Sequence, residues 1–495
     1  MHGFHLGYTG PPLSSISKNH KSTNNFPSVI SDFISEGITN NRIAGPFPSP
    51  PFQHFISSPL GVVPKSEQGK YRVIQDLSFP KHNSVNDHIP QENSSVQYES
   101  IDNVTALLNQ FGKDSLMAKT DIKDAFRIIP IHPEDYKLLG FSWEGAFYYD
   151  KCLPMGASSS CQIFESLSQA LQWAMYSKFN AAGMSHMLDD FFFIGPKHSQ
   201  KCLQDLNQFI YMCEESGIPI KMEKTVFPTT IITIYGIEVD SSAMVCRLPD
   251  QKLVKIRLKL QEVKHRKKVT LKVLQSLIGL LNYACLVVVP GRAFLRRIID
   301  LTCGKSNPSH YIRLTCEARA DLQMWTYFID HYNGKSVILP DFFTSSDQAL
   351  LFTDASGSIG FAGILGKEWF ALRWDSVPDS DQFQIAIKEL FPIVLALEIW
   401  GKSLENNKIL FLSDNEAVVH VINKQSSKEK TLMKLVRRLV LTSLTHNIFF
   451  KAKHIPGKTN ILADKLSRFQ LQDAFKAAPH LNPKPTVIPA ELLRI

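Results

Sequence analysis

No Cys-x-x-Cys pair occurs among the eight cysteines, Cys152, Cys161, Cys202, Cys213, Cys246, Cys285, Cys303 and Cys316. That argues against a zinc ribbon or knuckle and for a reduced, intracellular setting. Long apolar runs are missing as well. The longest, Leu277 to Val289, is interrupted by Asn282 and stops at Pro290, short of the roughly 20 residues a membrane helix needs. The opening MHGFHLGYTGPPLSS has no apolar signal core, so neither secretion nor a membrane partner is expected. Internal repeats are absent too. Acids are in the minority, Asp+Glu 46 against Lys+Arg 54, and the net charge of +8 permits a polyanionic partner without requiring one. What remains is an ordinary folded chain: 495 residues, 44% hydrophobic and 20% charged. At roughly 150 residues per domain, that length suggests about three domains.

Residues 1–55 are rich in Pro, Ser, Asn and Gly, as in GPFPSPPFQHFISSP, and read as an extended arm with little regular structure. The chain opens in mid-pattern, which suggests a part of a longer polyprotein. Over 56–245, short apolar runs alternate with amphipathic stretches, the pattern of α/β organisation. Residues 246–345 change character: twelve Lys/Arg stand against the single acid Glu262 between Gln251 and Arg297. Leu253, Ile256, Leu260 and Val263 recur there at helical spacing. Such a helix is either a solvated basic face or an element that lies along a phosphate backbone. A third unit, 346–470, opens with ALLFTDASGSIGFAGIL, whose Ser-Gly pair suggests a hairpin turn. A helical pattern follows from Ile385 to Trp400, with apolar positions Ile387, Leu390, Val394 and Leu397, and then the apolar run KILFLSDN. Residues 471–495 read as a tail.

Two groups of acids carry chemistry. LMAKTDIKDAF puts Asp121 where an alternating strand would stop, and HMLDDFFFIG puts Asp189 and Asp190 between two apolar runs, as at the tip of a β-hairpin. An Asp-Asp pair alone is most often a solvated turn. Three converging carboxylates, however, repel one another unless cations compensate, and two Mg²⁺ ions would do so.

The blocks KSEQGKYRVIQDLS, TDIKDAFRIIPIHPED, LPMGASSSCQIFE, MLDDFFFIG, IKMEKTVF and YGIEV stand in the order of reverse-transcriptase motifs. Over roughly residues 55–470 the chain resembles the retroelement family in which fingers and palm are followed by an RNase H domain. It is most similar to DIRS-group retrotransposons, with long-terminal-repeat elements second. The resemblance implies an α/β (α+β) chain: right-hand polymerase fingers and palm, a mainly helical thumb and connection, and an RNase H-like mixed sheet. It makes Asp121, Asp189 and Asp190 metal ligands. Arg72 and a lysine of the same loop, Lys65 or Lys70, would meet the nucleotide triphosphate. Phe126 matches the aromatic under the sugar ring, with plain core packing as the alternative. Gly156 would let the backbone approach nucleotide and template, and Lys224 is either a proton donor to pyrophosphate or a surface lysine. Two positions depart from the family pattern: Met187 stands where an aromatic is usual, and Ser160-Cys161 where Ser-Pro is usual.

Asp354, Glu389, Asp414 and Asp464 follow in the order and approximate spacing of the RNase H family. By that resemblance Asp354 falls on a first strand, Asp414 on a later one, Glu389 inside a helix and Asp464 near the start of another. His454, followed by Asn460, matches the family's mobile histidine and would act as general acid or in product release. Asp354-Ala-Ser-Gly faintly resembles an aspartic-protease loop, but Ala355 fails that motif. The activity implied is RNA-directed DNA synthesis with hydrolysis of the RNA in the hybrid, using Mg²⁺, two ions per site, or Mn²⁺. The implied partners are RNA template, DNA primer, RNA–DNA hybrid and deoxynucleoside triphosphates. The rival reading is a catalytically silent, domesticated element protein that binds RNA.

Overall fold

The computed structural model describes residues 3–65, 69–331, 335–337, 344–345, 348–456 and 460–495. The chain divides into two compact units, Met1–Tyr235 and Gly236–Ile495. The segments expected as thumb/connection and as RNase H-like thus lie in one unit. Among the described residues no helix is long and apolar enough to cross a membrane.

In the first unit, helix α1 (Pro27–Thr39) begins on a proline, whose fixed φ suits the first helical turn. Its Ile30 and Ile34, one turn apart, are buried with Leu60 and Val62 of strand β1 (Leu60–Pro64). β1 pairs antiparallel with β2 (Tyr71–Gln75). The expectation of an arm with little regular structure is corrected here. The Pro/Ser-rich average over residues 1–55 conceals a 13-residue helix with its own apolar stripe.

Helix α2 (Ile101–Phe111) is held by a capping box at Ser100 and Asn103. After it come β3 (Leu116–Asp121) and the hairpin β4 (Gly140–Trp143) and β5 (Ala146–Asp150). Helix α3 (Ser160–Phe179) leads into β6 (Gly183–Met187) and β7 (Asp190–Gly195), then α4 (Lys201–Glu215) and β8 (Val226–Thr229). Four of these strands form an antiparallel sheet in the order β8-β3-β7-β6. Phe191 and Phe193 of β7 and Ala118 of β3 are buried in one core with Phe164 of α3 and Phe209 of α4.

In the second unit an antiparallel strand pair, Ile237–Asp240 with Val245–Arg247, precedes helices α5 (Asp250–Lys264), α6 (Leu271–Ala284) and α7 (Cys316–His331). The buried residues of α5 are Leu253, Ile256, Leu260 and Val263, the four singled out by spacing. Among the described residues, five of the twelve cations between Gln251 and Arg297 have carboxylate partners: Arg257, Lys259, Arg266, Arg296 and Arg297. Asp321 of α7 is fully buried between Arg297 and an arginine further along the chain, Arg437.

Strands β9 (Leu351–Ala355), β10 (Gly360–Leu365) and β11 (Glu368–Arg373) make an antiparallel meander. Helix α8 (Ile385–Trp400) is buried on nearly every side. Strands β12 (Lys408–Ser413) and β13 (Phe449–His454) run parallel, and between them lie helices α9 (Glu416–Lys424) and α10 (Lys430–Thr445). The single mixed sheet that was expected is replaced, among the described residues, by two three-stranded sheets, one antiparallel and one parallel. The edge of β12 at Ile409 and Leu410 is taken by Thr344–Ser345, and among the described residues β9 pairs with β10 alone.

Helix α11 (Ile461–Ser467) packs on β9 and β10, and α12 (Leu471–Ala477) follows it. Residues 471–495 are no loose tail. Ala474, Ala478 and Leu481 are buried against Ala362, Ile364 and Trp369, and Trp369 Nε1 donates to the Asn482 carbonyl at 2.8 Å.

Candidate active sites

The polymerase-type acids meet through sheet register. β3 and β7 are neighbours, and Asp121 lies directly opposite Asp190. Directly paired residues put their side chains on one face with Cβ atoms about 4.5–5.5 Å apart. Asp189 sits in the β6–β7 turn beside them, where Leu188 takes φ +52. The turn is fastened from both sides: Ser168 of α3 donates to the Leu188 carbonyl at 2.9 Å, and Ile122 N–H donates to the Asp189 carbonyl at 3.1 Å.

Electrostatics follow from this crowding. Burial, then the charges of Asp189 and Asp121, push the Asp190 carboxyl up to about 6. Burial, then Asp121, also raises Asp189. Lys224 Nζ donates to Asp121 Oδ2 at 2.6 Å, and this hydrogen bond is the main reason its own pKa is raised. Lys119, Lys221 and Lys224 all pull the pKa values of the Asp189–Asp190 pair down, yet burial and mutual repulsion outweigh them. The oxygen-only donor set and the raised carboxyl pKa values suit a hard divalent cation such as Mg²⁺.

A cavity of about 620 Å³ in the first unit is lined by Lys65, Arg72 and Gly156, among others. Of the two candidate lysines it is Lys65 that lines it. Lys70 lies across the hairpin turn, its carbonyl accepting from Lys65 N–H at 2.8 Å. The cavity walls also hold the ion pairs Arg42–Asp124, at 2.9 Å, and Arg127–Asp150, neither anticipated from the sequence. Gly156 has a structural use of its own: a Cβ there would fall 2.4 Å from the Gln75 carbonyl oxygen. Phe126 is not among the lining residues. Its ring packs on Phe164, centroids 5.1 Å apart, at the edge of the core.

The second group converges from four elements. Asp354 is on β9, Glu389 on α8, and Asp464 on α11. Asp414 lies one residue beyond the end of β12 rather than on the strand. Asp354, Glu389, Asp414 and Asn460 line a crevice of about 10 Å³, about what one water or one small ion occupies. Burial pushes Glu389 up to about 8, helped by Asp354 and Asp414. Asp354 is likewise pushed up to about 6 by burial, with Asp464 and Asp414 adding to it.

Ser467 opposes that rise by donating to Asp354 Oδ2 at 2.7 Å, a contact no motif announced. Arg468 Nε holds Asp464 Oδ1 at 2.7 Å, and Asn460 Nδ2 donates to the Thr353 carbonyl at 2.7 Å. His454, exposed at the end of β13, bonds through Nε2 to the Asp414 carbonyl at 3.1 Å. The oxygen donors here again fit Mg²⁺ or Mn²⁺.

Residues 63–264 match the family described as reverse transcriptase (RNA-dependent DNA polymerase). The putative enzymatic polyprotein of Cassava vein mosaic virus is 22% identical over 440 residues, covering 84% of this chain and 61% of the relative. The Pro-Pol polyprotein of Feline foamy virus is 24% identical over 267 residues, 54% of this chain and 20% of its own length. The chain therefore spans less than two thirds of these relatives. Among solved structures, the foamy viral protease–reverse transcriptase with dsDNA aligns over 92% of this chain and 74% of its own, at 17% identity and a TM-score of 0.56. The same enzyme with RNA/DNA hybrid aligns over 92% and 57%, at 18% identity and a TM-score of 0.55. The α/β fold is thus shared with those enzymes. Residues 63–264, less than half of the chain, thus match the reverse-transcriptase family, and the chain around them is similar to Pol-type polyproteins of retroviruses and pararetroviruses.

Proposed function

We propose that this chain is an RNA-directed DNA polymerase that also hydrolyses the RNA of RNA–DNA hybrids, in the service of a retroelement of the DIRS group. The observation that carries the reading is the direct pairing of Asp121 with Asp190, with Asp189 in the adjoining turn. Three carboxylates on one end of a sheet, two of them with raised pKa values, make a poor surface and a good cation site. Bound Mg²⁺ or Mn²⁺, two ions at each acid group, would supply activation of the attacking oxygen and stabilisation of the leaving one.

The chain's own residues then do the following. Asp121, Asp189 and Asp190 hold the cations. Lys65 and Arg72 meet the triphosphate in the cavity they line, the guanidinium presenting a planar fork to phosphate oxygens. Lys224 Nζ, already protonated beside Asp121, delivers its proton to the departing pyrophosphate. Phe126, braced by Phe164, limits the room beside the sugar. At the second site Asp354, Glu389, Asp414 and Asp464 hold the cations. His454, near Asp414, protonates the leaving oxygen or clears product. RNA template, DNA primer and their hybrid are the partners. The foamy viral enzymes of like fold are seen with dsDNA and with RNA/DNA hybrid. An intracellular location suits these substrates.

The test is primer extension on an RNA template with deoxynucleotides and Mg²⁺ or Mn²⁺, run beside hybrid cleavage, for wild type, Asp189→Asn and Asp354→Asn. Extension is lost only in the first variant and cleavage only in the second. No extension in either metal, despite salt-sensitive hybrid binding, would turn the reading toward a silent, domesticated binding protein.

A further inference from the structure

We infer that His5, His132 and Glu134 form a divalent-metal site of zinc type that staples the N-terminal segment to the body of the first unit. One ligand atom from each residue lies within 4.8 Å of the other two. The two imidazole rings lie with centroids 4.0 Å apart and planes tilted by 31°.

Main-chain contacts bring His5 to this position. Phe4 bridges to Ile131, with Phe4 N–H on the Pro130 carbonyl and His132 N–H on the Phe4 carbonyl, both at 2.9 Å. Gly3 makes the approach possible: at φ +79, a Cβ would fall 2.5 Å from the Ile131 carbonyl group. On the other side Leu6 is fully buried in the core. His5 is therefore held from both flanks, although its own side chain is 56% exposed.

The ring nitrogens are prepared for a cation. Asp135 Oδ2 accepts from Leu6 N–H at 2.8 Å and from His5 Nδ1 at 3.2 Å. A carboxylate on Nδ1 keeps the proton there and leaves the Nε2 lone pair to a metal, the usual outer-shell arrangement for metal-binding histidines. His132 Nδ1 presents its lone pair on this side; it now accepts weakly from Glu134 N–H across a long 3.3 Å, a contact the metal would replace, and Glu134 Oε2 is 3.9 Å away. Zinc binds imidazole nitrogen and carboxylate oxygen at about 2.0–2.2 Å, so ligands around it stand about 3.3 Å apart. A rotamer change in Glu134, which is 76% exposed, and a small tilt of the His5 ring about its Asp135 contact close the remaining distance. Imidazole ligands favour zinc over Mg²⁺, which separates this site from the two acid groups.

The full-length chain, stripped with EDTA and kept in a large excess of Mg²⁺, is titrated with Zn²⁺ against a chromophoric chelator. Wild type, His5→Gln and Glu134→Gln are compared, and hydrogen exchange is followed across residues 3–8. Both substituted side chains are exposed, so folding is not at stake. The expected result is one zinc per chain whose affinity falls at least tenfold in His5→Gln and severalfold in Glu134→Gln. Zinc should slow exchange of residues 3–8 in wild type and not in His5→Gln. Equal zinc affinity in wild type and His5→Gln, no binding at micromolar zinc, or binding without added protection of residues 3–8 would each overturn the proposal.

Discussion

Replacing Glu389 by Gln should stabilise the metal-free protein at pH 8 and change it little at pH 5. In the folded chain burial and the nearby Asp354 and Asp414 push this carboxyl up to about 8, against an ordinary value of 4.5. The folded state therefore holds the proton more tightly than the unfolded state does. Stability that is complete below pH 4.5 is lost as the pH climbs toward 8, then levels off. At 1.36 kcal/mol per pH unit, the window corresponds to an upper limit of about 5 kcal/mol. Residual solvent contact and protonation of the neighbouring acids reduce this to about 2 kcal/mol at pH 8 and a few tenths at pH 5. Gln keeps the shape and loses the charge, so the variant recovers that amount. The assay is urea unfolding in EDTA at both pH values, read as variant minus wild type. Adding Mg²⁺ should restore wild type while leaving the variant nearly unmoved. A stability difference that is the same at pH 5 and pH 8, or a variant less stable at pH 8, would refute the reasoning.

Asp321→Ala leaves Arg297 and Arg437 facing each other at a fully buried position, and should cost about 3–5 kcal/mol in urea unfolding. A loss below about 1 kcal/mol would mean that the pair of arginines is hydrated. Lys224→Met removes an ammonium that is half exposed, so metal-free stability should move by less than about 1 kcal/mol. The same change frees Asp121 Oδ2, and calorimetric titration should find tighter Mg²⁺ binding; an unchanged affinity would show that the ammonium and the cation do not compete. Ser467→Ala withdraws the hydrogen bond that restrains Asp354. Its pKa should rise further above about 6, moving the acid limb of the proposed hybrid cleavage to higher pH, whereas an unmoved limb would break the link between that serine and the site.

Local patterns were the legible part of this molecule. The alternation around Asp121 and Asp189-Asp190 foretold a strand end and a hairpin tip, because a two-residue period and a turn need only neighbours in sequence. The α5 face was read off four apolar residues for the same reason. Helix α1 is hidden in the sequence because its stripe sits inside a Pro/Ser-rich segment, and residues 471–495 read as a tail because their buried residues, Ala474, Ala478 and Leu481, are too few and small to stand out. Gly156 reads as a place of ligand approach, and it does line the cavity with Lys65 and Arg72, but its close neighbour is also the Gln75 carbonyl. A glycine reports that something comes near, not what it is.

The order of acidic blocks, the helix and strand periods and the basic excess were determined by the sequence alone, since each depends on residue identity and short-range spacing. Whether Asp121 meets Asp190 depended on β3 pairing with β7 in one register, and a slip of one residue would have turned the carboxylates to opposite faces. The split of the expected mixed sheet into two, the partnership of Ser467 with Asp354 and the seating of His5 over His132 also came from tertiary structure. Such contacts join residues distant in the chain, and their free energy depends on burial and distance, which spacing along the sequence does not encode.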